Sequence, residues 1–213
     1  MAKARVKVCG ITNIDDALIS AEYGADALGF VFWEKSPRYI SPDRAAAIIK
    51  ALPPFITAVG VFVDEPAARV RSIIDASGLG CIQLHGSEPP EECARLNGAT
   101  GVKIIKAFRV RDRNDISRLR EYNVSAYLLD AFVEGVPGGT GHTFNWEIAI
   151  EAKARGRVIL SGGLNPENII QALAKVEPYG VDVSSGVEES PGKKDRDKLI
   201  KFIKRVKEYE KDA

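Results

Sequence analysis

The chain has 213 residues, 45% of them apolar, with 30 Lys and Arg against 29 Asp and Glu for a formal net charge of +1. So even a balance gives no bulk electrostatic pull towards nucleic acid or a lipid surface, and no apolar run approaches the roughly 18 residues of a membrane span. Cys9, Cys81 and Cys93 are odd in number, far apart and without zinc-ligand spacing, which fits a reducing compartment better than a disulfide framework.

In chain order, a strand-length apolar run at residues 6–11 leads into helical periodicity over 14–23. The pair then repeats: 27–32 with 42–52, 56–63 with 66–77, 81–85 with 89–96, and 102–108 with 112–122. It continues as 126–130 with 146–155 and 158–161 with 166–176. The last run, 181–184, precedes a helix with Leu199, Phe202, Ile203, Val206 and Tyr209 on one face, and the charge-rich stretch 193–211 reads as its solvated side. Ser41-Pro42, Glu65-Pro66 and Asn165-Pro166 set a polar or acidic residue before a proline, as helix starts require.

Eight strand signals alternating with eight helix signals, without a linker or composition break, predict an α/β (β/α)8 TIM barrel as a single domain over 1–213. A doubly wound sheet would leave strand signals unused, and no GxGxxG follows the first strand. The N-terminus has no apolar signal core, so a soluble cytoplasmic protein is expected.

In such a barrel, chemistry belongs at the C-terminal ends of the strands. Cys9 stands there on the first strand, where a thiol can be a nucleophile, a base or packing. Gly162-Gly163 after the seventh strand and Ser185-Gly186 after the eighth fit a phosphate, because glycine lets backbone N–H groups approach an anion and these loops are the fold's recurrent phosphate site. A small phosphorylated substrate is the expected partner.

Several segments together carry a resemblance. They are Lys7-Val8-Cys9-Gly10-Ile11-Thr12, Gly29-Phe30-Val31-Phe32, Ser36-Pro37-Arg38-Tyr39-Ile40 and Gln83-Leu84-His85-Gly86 in the first half. The second half adds Leu128-Leu129-Asp130, Gly138-Gly139-Thr140-Gly141, Ser161-Gly162-Gly163-Leu164 and Val183-Ser184-Ser185-Gly186-Val187-Glu188. In this order they resemble the phosphoribosylanthranilate isomerase family of tryptophan biosynthesis over essentially the whole chain. The resemblance implies an Amadori rearrangement of N-(5-phosphoribosyl)anthranilate to 1-(2-carboxyphenylamino)-1-deoxyribulose 5-phosphate, with no metal or organic cofactor. Monomers and homodimers both occur among such proteins.

By the same resemblance Cys9 is the general base and Asp130 the general acid, Arg38 meets the anthranilate carboxylate, and Gln83 and His85 lie near the substrate. Asp182 has two open roles, orienting sugar hydroxyls or holding the polar end of the barrel together. The chemistry asks for a Cys9 pKa below the usual thiol value of about 8.5, and for an Asp130 carboxyl above its usual value of about 3.9. The segment 136–141 is expected to close over the substrate, and Asn145 stands where relatives more often have aspartate. Three rivals remain open: another phosphosugar isomerase on the same barrel, a lyase or synthase of the same pathway, and a non-catalytic phosphate-binding or regulatory barrel.

Overall fold

Side chains alternate between two faces along a strand, so eight short parallel strands closed into a ring produce one inward and one outward set. The computed structural model, which describes residues 4–131 and 146–212, is such a ring. Its strands are β1 Arg5–Cys9, β2 Ala27–Val31, β3 Thr57–Phe62, β4 Cys81–Leu84, β5 Lys103–Val110, β6 Ala126–Ala131, β7 Val158–Leu160 and β8 Gly180–Val183. Each pairs in parallel with the next, and β8 returns to β1.

The helices α1 Ile14–Glu22, α2 Pro42–Ala51, α3 Ala67–Ser77, α4 Pro90–Thr100, α5 Arg113–Ser117, α6 Trp146–Ala152 and α7 Ile169–Val176 lie between successive strands. Beyond β8 a short antiparallel hairpin, β9 Glu188–Ser190 and β10 Lys193–Lys194, precedes α8 Arg196–Asp212.

Two apolar layers follow from the alternation. Val59, Cys81, Ile105, Ala107, Leu128 and Ile159 pack together inside the ring. Their outward neighbours, among them Leu28, Phe30, Phe62, Ile82, Leu84 and Leu129, are buried beneath the helices with Phe202 and Ile203 of α8. Continuing the inward set up each strand leads to Cys9, Gln83, Arg109, Asp130 and Asp182 at or near the C-terminal end, and the register sets Arg109 beside Asp130.

Most expected elements form, with boundaries moved for local reasons. β1 stops at Cys9 because Gly10 turns to a φ of 79°. α4 runs four residues past its last buried apolar residue, Leu96, since its final turn faces solvent, and it ends at left-handed Gly101. α7 starts at Ile169 rather than at Pro166. Asn165 Oδ1 accepts from the N–H groups of Glu167 and Asn168, and that turn competes with the helix. Ser41 is at the N-cap of α2, yet its side chain makes no capping bond. The segment 136–141 and Asn145 lie outside the described residues.

Candidate active site

A cavity of about 380 Å³ opens at the C-terminal end of the ring. All ten residues named from sequence line it: Cys9, Arg38, Gln83, His85, Asp130, Gly162, Gly163, Asp182, Ser185 and Gly186. A larger cavity, about 860 Å³, opens at the other end among Ile49, Leu52, Phe55, Ile56 and Val59. It gathers none of those groups.

Cys9 is buried, and its neighbours below are charged. Lys7, two residues earlier and therefore on the same inward face, places Nζ 2.7 Å from Asp182 Oδ1. Asp182 Oδ2 accepts from Ser161 Oγ at 3.2 Å. Both oxygens of Asp182 thus have protein partners, which supports its reading as a brace of the polar end, while its place on the cavity wall keeps it within reach of a ligand.

Burial pushes the Cys9 thiol above its ordinary value; Lys7 opposes this, Asp182 adds to it, and Lys194 opposes it more weakly. The net direction is upward, which corrects the lowered value expected from sequence. Desolvation outweighs the two cations because the thiolate would sit inside the protein. Lys7 itself is raised: burial pulls its ammonium down, but Asp182 and Cys9 more than compensate.

Asp130, the penultimate residue of β6, is buried, with His85 Nε2 3.4 Å from Oδ2. Gln83 Nε2 lies 2.7 Å from His85 Nδ1. With the amide donating there, Nδ1 is the acceptor and the imidazole proton sits on Nε2, facing Asp130. Gln83 Oε1 is buried without a partner. Turning the amide over exchanges the two atoms and still leaves one of them unbonded on the cavity wall.

The loops after β7 and β8 meet edge to edge. Gly162 and Gly163 take φ values of 80° and 71°, which an L side chain rarely adopts. A Cβ on Gly186, in the 3-10 turn Ser185–Val187, would collide with the Leu164 carbonyl oxygen. Asn168 Nδ2 donates to Gly163 O at 2.9 Å and braces the first loop from behind. Among the described residues, neither Gly162 nor Gly163 spends its N–H on a backbone acceptor. These amides, rather than the start of α7, line the cavity.

Arg38 is not a free surface arginine. Its Nε lies 2.9 and 3.1 Å from the two Glu188 oxygens and its Nη2 lies 2.6 Å from Oε2. Lys194 corrects the solvated reading of 193–211, since it is buried and its Nζ donates to the Cys9 carbonyl and to Glu188. The residues given no role from sequence are therefore Lys7, Arg109, Ser161, Glu188 and Lys194. Strand alternation from Cys9 would have given Lys7 a place beneath it, and the register sets Arg109, a strand-end residue, beside Asp130. Nothing local marks Lys194.

A family model described as N-(5'phosphoribosyl)anthranilate (PRA) isomerase matches residues 6–205. The chain belongs to the N-(5'-phosphoribosyl)anthranilate isomerase family. A family member from Pelobacter propionicus is 53% identical over 211 residues, covering 98% of each chain. Among solved structures, monomers generated from the dimeric isomerase of Thermotoga maritima superpose with a TM-score of 0.86 at 44% identity, covering 96% of this chain and 99% of that one. An isomerase in complex with reduced 1-(o-carboxyphenylamino)-1-deoxyribulose 5-phosphate gives 0.85 at 45% identity, with the same coverage. As in those family structures, the fold here is an eight-stranded parallel barrel. No helix among the described residues is long and apolar enough to cross a membrane.

Proposed function

We propose that Cys9 and Asp130 are the base and acid of the phosphoribosylanthranilate isomerase reaction, the activity in tryptophan biosynthesis that family membership assigns to the chain. The observation that carries the pairing is strand order. The glycine loops follow β7 and β8, which lie between β6, bearing Asp130, and β1, bearing Cys9. A sugar phosphate anchored by those loops has an acid on one side and a base on the other.

The Asp130 carboxyl gives its proton to the furanose ring oxygen. The C1–O bond breaks and the anthranilate nitrogen lone pair forms the Schiff base. The Cys9 thiolate then removes the proton on C2, and those electrons move to the imine nitrogen to give an enolamine, which tautomerises to the ketone. One proton is given and one taken, so the change is an isomerisation. The substrate nitrogen is the electron sink, so the step uses no metal or organic cofactor.

Arg38 receives the anthranilate carboxylate, the amides of Gly162, Gly163, Ser185 and Gly186 hold the phosphate, and Gln83 and Asp182 face the sugar hydroxyls. His85 orients Asp130. Loss of phosphoribosylanthranilate fluorescence, followed for wild type, Cys9→Ser and Asp130→Asn, tests the pair. Undiminished turnover in both variants would sink it. An inactive wild type that still binds the reduced product would favour a non-catalytic binding barrel.

The far end of the ring supports an assembly reading. Phe55 is 95% exposed and Tyr179 46% exposed beside the larger cavity, an apolar arrangement suited to a second copy of the chain. The free cysteines fit work in the cytoplasm. Sedimentation of Phe55→Glu checks the dimer; an unchanged mass would exclude this face.

A further inference from the structure

Glu188 and Lys194 belong to the hairpin after β8 and have no part in the acid–base steps, yet both are buried beside the cavity. We propose that they are positioning residues that hold Arg38 ready as a carboxylate receptor and tie its place to Cys9. The inference rests on the reading of Arg38 as the carboxylate contact.

A guanidinium has two bidentate edges, Nε with Nη2 and Nη1 with Nη2. Glu188 fills the first, at 2.9, 3.1 and 2.6 Å. The second edge is left to meet a planar carboxylate end-on. Glu188 Oε1 also accepts from Lys194 Nζ at 2.9 Å and from Gly192 N at 3.3 Å. Lys194 Nζ in turn donates to the Cys9 carbonyl at 2.6 Å, so one short chain of bonds runs from the arginine to the backbone of the base. The stem of Arg38 crosses directly over Gly10, where an added Cβ would come within 2.7 Å of its Cδ. Asp16 Oδ2 accepts from Lys194 N at 2.8 Å and fastens the hairpin to α1.

Charge counting shows how to isolate the effect. Arg38, Glu188 and Lys194 sum to +1, and E188Q/K194M keeps that sum while removing the clamp. Binding is measured with reduced 1-(o-carboxyphenylamino)-1-deoxyribulose 5-phosphate and with the same molecule lacking its carboxyl group. Wild type prefers the carboxylated ligand. E188Q/K194M lowers that preference about tenfold and raises KM similarly, with kcat within about threefold of wild type. R38M abolishes the preference, and adding E188Q/K194M to R38M changes it no further.

If the double variant does not fold, Glu188→Asp keeps the buried charges and withdraws the carboxylate by one methylene; the preference then shifts in the same direction. Equal weakening of both ligands in E188Q/K194M, or a loss that adds to that of R38M, overturns the inference and leaves the Arg38 reading standing. Wild-type preference in R38M overturns both.

Discussion

The two ends of the barrel interior are built by the same alternation of side chains but filled differently. At the N-terminal end the inward positions include Val59, Cys81, Ile105 and Ile159, beside the larger cavity. At the C-terminal end the same rows reach Cys9, Gln83, His85, Asp130 and Asp182 around the smaller one. Cavity size therefore does not mark the chemistry. Convergent polar groups that each have a braced partner do.

The largest expected effects separate the two ends cleanly. Cys9→Ser and Asp130→Asn should each lower kcat/KM by about 10²- to 10⁴-fold, the range for a positioned acid or base, with little change in melting temperature. Leu128→Ala, in the apolar layer, should do the reverse, costing about 2–5 kcal/mol of stability in a denaturant titration. Loss of stability in the first two, or a selective loss of kcat in the third, would dissolve the contrast.

Next comes the pair beneath the base. Lys7→Met leaves Asp182 buried without its cation and should cost about 3–5 kcal/mol. Lys7→Met with Asp182→Asn should recover much of that, because no uncompensated charge remains. Chemical denaturation of the three proteins measures it. Lys7 also opposes the burial that raises the Cys9 thiol, so alkylation of Cys9 should be slower in Lys7→Met at a fixed pH.

The barrel, Cys9 and the glycine loops were legible because strand-length runs, glycine turns and residues at strand ends are local signals, while Arg38, Gln83, His85 and Asp130 came with the family resemblance. The braces were not. Lys7 meets Asp182 across a separation of 175 residues, Arg38 meets Glu188 across 150, and Lys194 meets the Cys9 carbonyl across 185. A lysine in a charge-rich stretch reads as solvated unless the fold folds it under, as β10 does with Lys194. The rise of the Cys9 thiol was hidden for a related reason. The lowered value follows from what the reaction asks of a base, whereas the desolvation that outweighs Lys7 exists only once the ring closes.

The upward shift has a kinetic consequence. A base that must be a thiolate but is held above the ordinary thiol value by burial is mostly protonated at neutral pH. The thiolate fraction then grows with pH up to the raised value. We expect kcat/KM to keep climbing on the alkaline side of neutrality rather than to level off near pH 7, and Lys7→Met to move that limb further up. A plateau at neutral pH would mean that substrate binding lowers the thiol or that another group is the base.

The smallest effect concerns acid stability, and it again sets the mouth of the barrel against its base. Burial raises the Glu188 carboxyl, but its bonds to Arg38 and Lys194 outweigh that and hold it below the ordinary 4.5. A group depressed in the folded state binds its proton more readily when unfolded. Its stabilisation is therefore complete above the unfolded value near 4.5 and is lost as pH falls through the lower folded value. Melting temperatures from pH 7 to 3 should fall less steeply at the acid end in E188Q/K194M than in wild type, while Leu128→Ala lowers the whole curve without changing its shape. Parallel curves for wild type and the hairpin variant would show that the Glu188 pairing adds nothing to acid sensitivity.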